Sequence, residues 1–129
     1  MVKMLVVVGT GGFIGTILRY ILGGIPYKFL DTSFPLGTLL VNFIGAFLIG
    51  YFMEIALTRS TMSDMTRMFV AIGLLGGFTT FSTFSYETIA LLRAGNTLYA
   101  LLNILLTNFL CLGGTILGMK FVSLFKQGV

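Results

Sequence analysis

One segment of the chain combines glycine, hydroxyl and phenylalanine side chains in a pattern that could bind a small ion. It reads GLLGGFTTFSTFSYE from Gly73 to Glu87, with adjacent glycines, five hydroxyl residues between Thr79 and Ser85, and phenylalanines at 78, 81 and 84. Each glycine weakens a helix by roughly 1 kcal/mol relative to alanine, and hydroxyl side chains compete for backbone groups. The segment therefore predicts a helix broken near 76–80.

A break of this kind has chemical consequences inside a membrane. Broken backbone persists there only where it is buried in protein or lines a cavity. Its free carbonyls can bind a cation, and its free N–H groups or hydroxyls can bind an anion. The rings of Phe81 and Phe84 stand one helical turn apart, and the positive edge of such a ring can contact an anion. Simple core packing of these rings is the competing interpretation.

A second polar group lies in the stretch GTLLVNFIG, Gly37 to Gly45. Asn42 shares a helical face with Thr38, four residues earlier. Its amide carries two donor hydrogens that could point at an anion. It could equally form a hydrogen bond between two helices.

A third polar feature is a stripe near the C-terminus. Asn103, Thr107 and Cys111 follow each other at intervals of four residues, and Thr115 continues the line. Such a stripe on an apolar helix indicates either a wet path or a polar contact between helices, and both interpretations stay open.

The elements that position these residues follow from composition. The chain has 129 residues, of which 57% are hydrophobic and 9% charged, with a mean hydropathy of +1.03. A soluble domain carries about 25% charged residues, so we expect an all-α integral membrane protein. The basic residues form no cluster, which argues against a nucleic-acid partner. With no histidine and one cysteine, common metal and triad chemistries lose their usual participants, and no enzyme is expected.

Charged residues separate four apolar stretches, each near the ~20 residues that a spanning helix needs. We predict spans at about 4–24, 34–57, 66–92 and 97–125, in a single domain over residues 1–129 that contacts the lipid bilayer. Four spans place both termini on one side. That side holds five basic residues, Lys3, Arg59, Arg67, Lys120 and Lys126, and the other holds Lys28, Arg93 and, if it extends that way, Arg19. Under the positive-inside rule this bias is weak, and either orientation is possible.

Glycine spacings predict close helix packing at Gly11-x-x-x-Gly15 and Gly114-x-x-x-Gly118. Four such helices enclose little space, so a dimer is expected. The N-terminal LVVVGTGGFIG resembles a dinucleotide-binding loop, but Ile14 stands where that pattern requires glycine. We reject a nucleotide site.

Three motifs together resemble the CrcB/Fluc family of fluoride channels: GGFTTFSTFSYET from Gly76 to Thr88, GTLLVNFIG, and Gly15-x-x-x-Arg19. The resemblance runs essentially end to end. It implies a passive, fluoride-selective channel in a microbial plasma (inner) membrane, which exports cytoplasmic fluoride and relieves its toxicity. It also implies an antiparallel, dual-topology homodimer with two pores.

The resemblance further implies roles for particular residues. A structural sodium ion would sit on the dimer axis, held by the backbone carbonyls of Gly76 and Thr79 from both subunits. The residues implied to line the fluoride path are Asn42, Phe81, Phe84, Ser82, Thr83, Thr38 and Thr107. Arg19 would make a vestibule electropositive, while Glu87, Asn103 and Cys111 have less certain roles. A thiol is a poor donor, so Cys111 is a weaker ion contact than Thr107.

Two alternatives remain. A small four-helix, dual-topology multidrug/proton antiporter needs a carboxylate in the membrane, and here Glu54 lies near a span end and Glu87 past the hydroxyl run. A non-transporting membrane scaffold would use the glycine motifs for packing alone.

Overall fold

The protein is described here as a computed structural model of residues 1–58 and 62–126, and all regular secondary structure in these ranges is helical. Its long helices are α1 (Val2–Gly24), α2 (Leu36–Thr58) and α6 (Thr97–Lys126), and a third span runs from Asp64 to Arg93. All four are long and apolar enough to cross a membrane. The prediction of an all-helical chain with four apolar spans is confirmed. Arg59 and the side chain of Lys126, both used in the charge comparison, lie outside the described residues.

The third span is built from several pieces. It begins with α3 (Asp64–Arg67), continues as a π-helical segment (Met68–Leu75) and α4 (Gly76–Phe78), and resumes as α5 (Phe81–Arg93). Between α4 and α5 the backbone is extended, with φ −86° and ψ 160° at Thr79 and φ −152° and ψ 114° at Thr80. The interruption therefore falls on the two threonines.

The adjacent glycines lie before the interruption, and Gly77 serves helix packing. Gly76 and Gly77 are both helical, within α4. A Cβ atom on Gly77 would lie 2.6 Å from the carbonyl oxygen of Gly12 in α1, a distance that real side chains do not adopt. The contact requires glycine because the two backbones almost touch.

The remaining helix crossings also depend on close approach of backbones. Helix α1 packs on the π-helical segment, where a Cβ on Gly11 would lie 2.6 Å from the carbonyl oxygen of Phe69. Helix α2 packs along α6, where Gly118 lies against the backbone of Phe47 and Gly114 against the ring of Phe43. Both predicted glycine motifs thus lie at helix crossings, as membrane helices commonly arrange them.

The helix ends carry recognisable caps. The Ser63 hydroxyl accepts a hydrogen bond from the Thr66 N–H at the start of α3. Gly95 has a φ of +78° just after α5, a left-handed conformation in which glycine commonly ends a helix. Arg67 donates from Nη2 to the carbonyl oxygen of Ala56 at 2.7 Å. That bond joins the start of the third span to the last turn of α2.

Candidate functional site

The site is built around the extended residues Thr79 and Thr80 and the Asn42 side chain on α2. Oδ1 of Asn42 accepts the backbone N–H of Thr80 at 2.7 Å, and its Nδ2 donates to the Thr80 carbonyl at 3.0 Å. Both side chains are buried, at 8% and 7% exposed. Asn42 thereby satisfies backbone groups that a continuous helix would have paired internally. One of its two amide hydrogens remains for another acceptor.

Thr80 also begins helix α5. Its hydroxyl accepts the backbone N–H of Thr83 at 3.2 Å and donates to the Thr83 hydroxyl at 2.9 Å. The Ser82 hydroxyl lies 3.3 Å from the Thr80 hydroxyl oxygen. Sequence reasoning did not single out Thr80 as a site residue. The signal was available, because a threonine just before a helical run is a favoured N-cap.

Seven of the site residues predicted from the sequence line one cleft beside the break. This space is called here the Asn42 cleft. They are Asn42, Gly76, Thr79, Phe81, Phe84, Thr107 and Cys111. The rings of Phe81 and Phe84 lie 5.4 Å apart between centroids, at an interplanar angle of 49°. Phe84 is buried at 7% exposed, whereas Phe81 is 78% exposed. The cleft thus places an amide and two tilted rings around one apolar space.

A second group of predicted residues lines another cavity that also contacts Thr80, called here the Arg19 cavity. Its members include Arg19, Thr38, Thr83 and Glu87. The Thr38 hydroxyl donates to Oε1 of Glu87 at 2.8 Å. Oε2 of Glu87 is buried, with no hydrogen-bond partner among the described residues. Thr80 lines both spaces, so the two spaces share this residue.

Two predicted residues lie elsewhere. Ser82 lies on an exposed groove beside Phe81 and Arg93. Asn103 is fully buried, at 0% exposed, and donates from Nδ2 to the hydroxyl of Thr88 at 2.9 Å. Thr88 ends one of the motifs quoted above but was not predicted as a site residue, because its role depends on a partner in another helix.

Backbone oxygens suited to a cation are also present at the break. In a continuous helix the Gly76 carbonyl would accept the N–H of Thr80, but that N–H donates to Asn42 instead. The Thr79 carbonyl accepts a long bond of 3.5 Å from Nη1 of Arg19, and a carbonyl oxygen has a second lone pair. Both oxygens therefore fit the predicted sodium ligands in chemical type. No cluster of three or more His, Cys, Asp or Glu side chains occurs in residues 1–58 and 62–126.

Comparison with known proteins decides the family. The sequence model described as "CrcB-like protein, Camphor Resistance (CrcB)" matches residues 6–119. The chain belongs to the CrcB-like family. The residues of both the Asn42 cleft and the Arg19 cavity fall within that match.

Three relatives illustrate the similarity, each named "Fluoride-specific ion channel FluC". The protein of Geobacter sulfurreducens is 53% identical over 108 residues, which cover 84% of this chain and 87% of that one. The protein of Campylobacter jejuni is 48% identical over 118 residues, covering 92% and 96%. The protein of Clostridium novyi is 47% identical over 113 residues, covering 88% of each. The similarity spans nearly the whole of this CrcB-like chain and of its relatives.

Proposed function

We propose that this protein is a passive, fluoride-selective ion channel of the microbial plasma membrane, which lets cytoplasmic fluoride leave the cell. One observation carries the proposal: the Asn42 amide and the rings of Phe81 and Phe84 share a cleft at a break in a membrane-spanning helix. The printed names of the relatives support fluoride as the ion.

The chemistry of the cleft suits a small anion. Fluoride is strongly hydrated, so donors must replace its water. The free amide hydrogen of Asn42, the hydroxyl of Thr107 and the ring edges of Phe81 and Phe84 would supply positive partial charge. A fixed cation would hold the ion too tightly, and conduction requires sites that release as well as bind.

The Arg19 cavity would act as the vestibule on the far side of Thr80. Arg19 would make it electropositive, and the hydroxyls of Thr38 and Thr83 would contact the ion beyond the break. Helix α5 begins here, and a helix N-terminus carries a partial positive charge. The Thr38–Glu87 hydrogen bond occupies one carboxylate oxygen of Glu87.

The functional unit in this proposal is an antiparallel, dual-topology homodimer. The cleft of about 420 Å³ in one chain has room for on the order of ten waters at about 30 Å³ each. A space open to that much water would not select a dehydrated ion, and a second copy that covered the cleft would exclude this water. Phe81, at 78% exposed, would become enclosed at such an interface.

The proposal includes a structural sodium ion held by the carbonyl oxygens of Gly76 and Thr79. Two copies would supply four oxygens, the ligand type that hard cations prefer. The bound ion would hold the two breaks in register. The support for this element is the Gly76 carbonyl that the Asn42–Thr80 bond frees from helical pairing.

The direct test uses purified protein in liposomes loaded with fluoride or chloride, with efflux followed by an ion-selective electrode. We expect rapid fluoride efflux and far slower chloride efflux. The fluoride signal should persist without a proton gradient, which separates a channel from a proton-coupled antiporter. Absent fluoride efflux, or chloride efflux of equal rate, would refute the function.

A further inference from the structure

A chain of buried hydrogen bonds joins α5 to α6 directly behind Phe84. Nδ2 of Asn103 donates to the Thr88 hydroxyl at 2.9 Å, and that hydroxyl donates to the carbonyl oxygen of Phe84 at 2.8 Å. On the other side, the Thr107 hydroxyl lies 3.4 Å from Oδ1 of Asn103 and donates to it. The network therefore connects two residues of the Asn42 cleft, Phe84 and Thr107, through two residues behind it.

The two inner members of this network are placed to support the cleft rather than to contact an ion. Asn103 precedes Thr107 by one helical turn, and Thr88 follows Phe84 by one turn. Asn103 is 0% exposed and Thr88 is 6% exposed. Even in the single chain, where the cleft is open, Asn103 is inaccessible to solvent.

A buried polar pair specifies helix position more sharply than an apolar contact does. Apolar surfaces can slide or rotate past each other with little change in buried area, whereas an amide and a hydroxyl in an apolar interior must meet to avoid an unsatisfied group. The Asn103–Thr88 bond therefore selects one rotation of α5 against α6. That rotation decides where the ring of Phe84 lies.

We infer that Asn103 is a positioning residue, which acts through Thr88 to hold the Phe84 ring edge at its place in the ion path. This inference rests on the proposed function and deepens it, since it moves Asn103 out of the conducting surface. It implies that Asn103 and Thr88 work as one unit, so removing either partner removes the same constraint.

The test compares Thr88→Val, Thr88→Ser and the double variant Thr88→Val/Asn103→Leu in liposomes. Valine keeps the shape of threonine without the hydroxyl, and serine keeps the hydroxyl. We expect Thr88→Val to slow fluoride efflux by roughly two- to tenfold, the change in an equilibrium that one net hydrogen bond is worth. Thr88→Ser should restore most of the fluoride efflux.

The matched control is Thr10→Val. The Thr10 hydroxyl also donates to the carbonyl four residues earlier, in α1, but it is exposed. Fluoride efflux through the Thr10→Val variant should equal that of the wild type.

The double variant separates positioning from mere stability. It removes both partners of the Asn103–Thr88 bond, and the Thr107 hydroxyl, which loses Oδ1 of Asn103 as its acceptor, can turn to the backbone carbonyl four residues earlier in its own helix. The fold should therefore be retained, yet the helix rotation is no longer specified. Slow fluoride efflux from a double variant with wild-type thermal stability supports the positioning role of Asn103, and wild-type efflux overturns that role.

A second measurement does not depend on conduction. It places para-fluorophenylalanine at position 84 and records the fluorine NMR signal of that ring. Thr88→Val should shift or split its signal, and an unchanged spectrum overturns the inference even if the wild-type chain passes no fluoride.

Discussion

Asn42 and Thr80 form a closed pair across the break in the third span. The side-chain amide of Asn42 accepts from the Thr80 N–H at 2.7 Å and donates to the Thr80 carbonyl at 3.0 Å. One side chain thus replaces two helical hydrogen bonds and holds the extended residues in an apolar interior. The same amide retains a second donor hydrogen, and Asn42 lines the cleft that we propose as the ion path.

Asn42→Asp should abolish most fluoride efflux. The carboxylate loses the donor to the Thr80 carbonyl and repels an anion, and interactions of charged groups are worth about 1.5–3 kcal/mol. We expect efflux to fall by at least about tenfold, measured with a fluoride electrode on liposomes. Asn96→Asp is the matched control, because Asn96 is exposed just before α6. This variant should conduct fluoride at the wild-type rate. Equal efflux from the two variants would contradict the role of Asn42.

Phe81→Ile should block fluoride efflux without unfolding the chain. The ring is 78% exposed, so its removal leaves no cavity inside the single chain, but an aliphatic side chain offers no positive ring edge to an anion. Phe109→Ile makes the same change at a residue that is 73% exposed on α6, and we expect it to retain efflux. The prediction fails if both variants conduct alike.

Thr80→Ala should lower thermal stability, because it removes the N-cap hydroxyl of α5. Loss of such a cap costs about 1 kcal/mol, and Thr80→Ser should largely avoid that cost. The check is the unfolding midpoint of the detergent-purified protein. Ser63→Ala removes the exposed cap of α3 and should have a smaller effect, since water can replace that hydrogen bond. A midpoint for Thr80→Ala at or above the wild-type value would rule out the capping role.

Removal of sodium should inactivate the channel slowly. If the carbonyls of Gly76 and Thr79 hold the ion at the dimer axis, prolonged exchange into a large organic cation should empty the site and stop fluoride efflux. Readdition of sodium should restore it. The measurement is efflux against time in sodium-free buffer, with parallel gel filtration for the oligomeric state. Full activity in a verified sodium-free sample would argue against the site.

Dual topology predicts that a reporter fused to the C-terminus appears on both sides of the membrane. The basis is the near balance of basic residues between the two faces, five against three when Arg19 is counted. Added lysines in the turn at 93–96 should bias the orientation and reduce fluoride efflux, because an antiparallel pair requires both orientations. A reporter found on a single side in the unmodified chain would exclude the antiparallel dimer.

The amino-acid sequence by itself determined the class of protein, the four spans and most members of the candidate site. A chain with 57% hydrophobic and 9% charged residues cannot be solvated by water over its whole surface, so spans follow from composition and length. Asn42, Phe81 and Phe84 stood out because polar and ordered aromatic groups in an apolar helix are rarely incidental.

Tertiary structure decided how those residues are used. The glycines and hydroxyls together predicted a break near 76–80. In the structure the close approach of α1 requires Gly77, and within the predicted range the extended backbone falls on Thr79 and Thr80. The pairing of Asn42 with Thr80 joins residues 38 positions apart, and that of Asn103 with Thr88 joins two different helices. Local patterns can show that a polar group is present in a span, but its partner depends on how the helices rotate and cross. For that reason the helix-to-helix hydrogen bonds of both asparagines could be identified only in the packed structure.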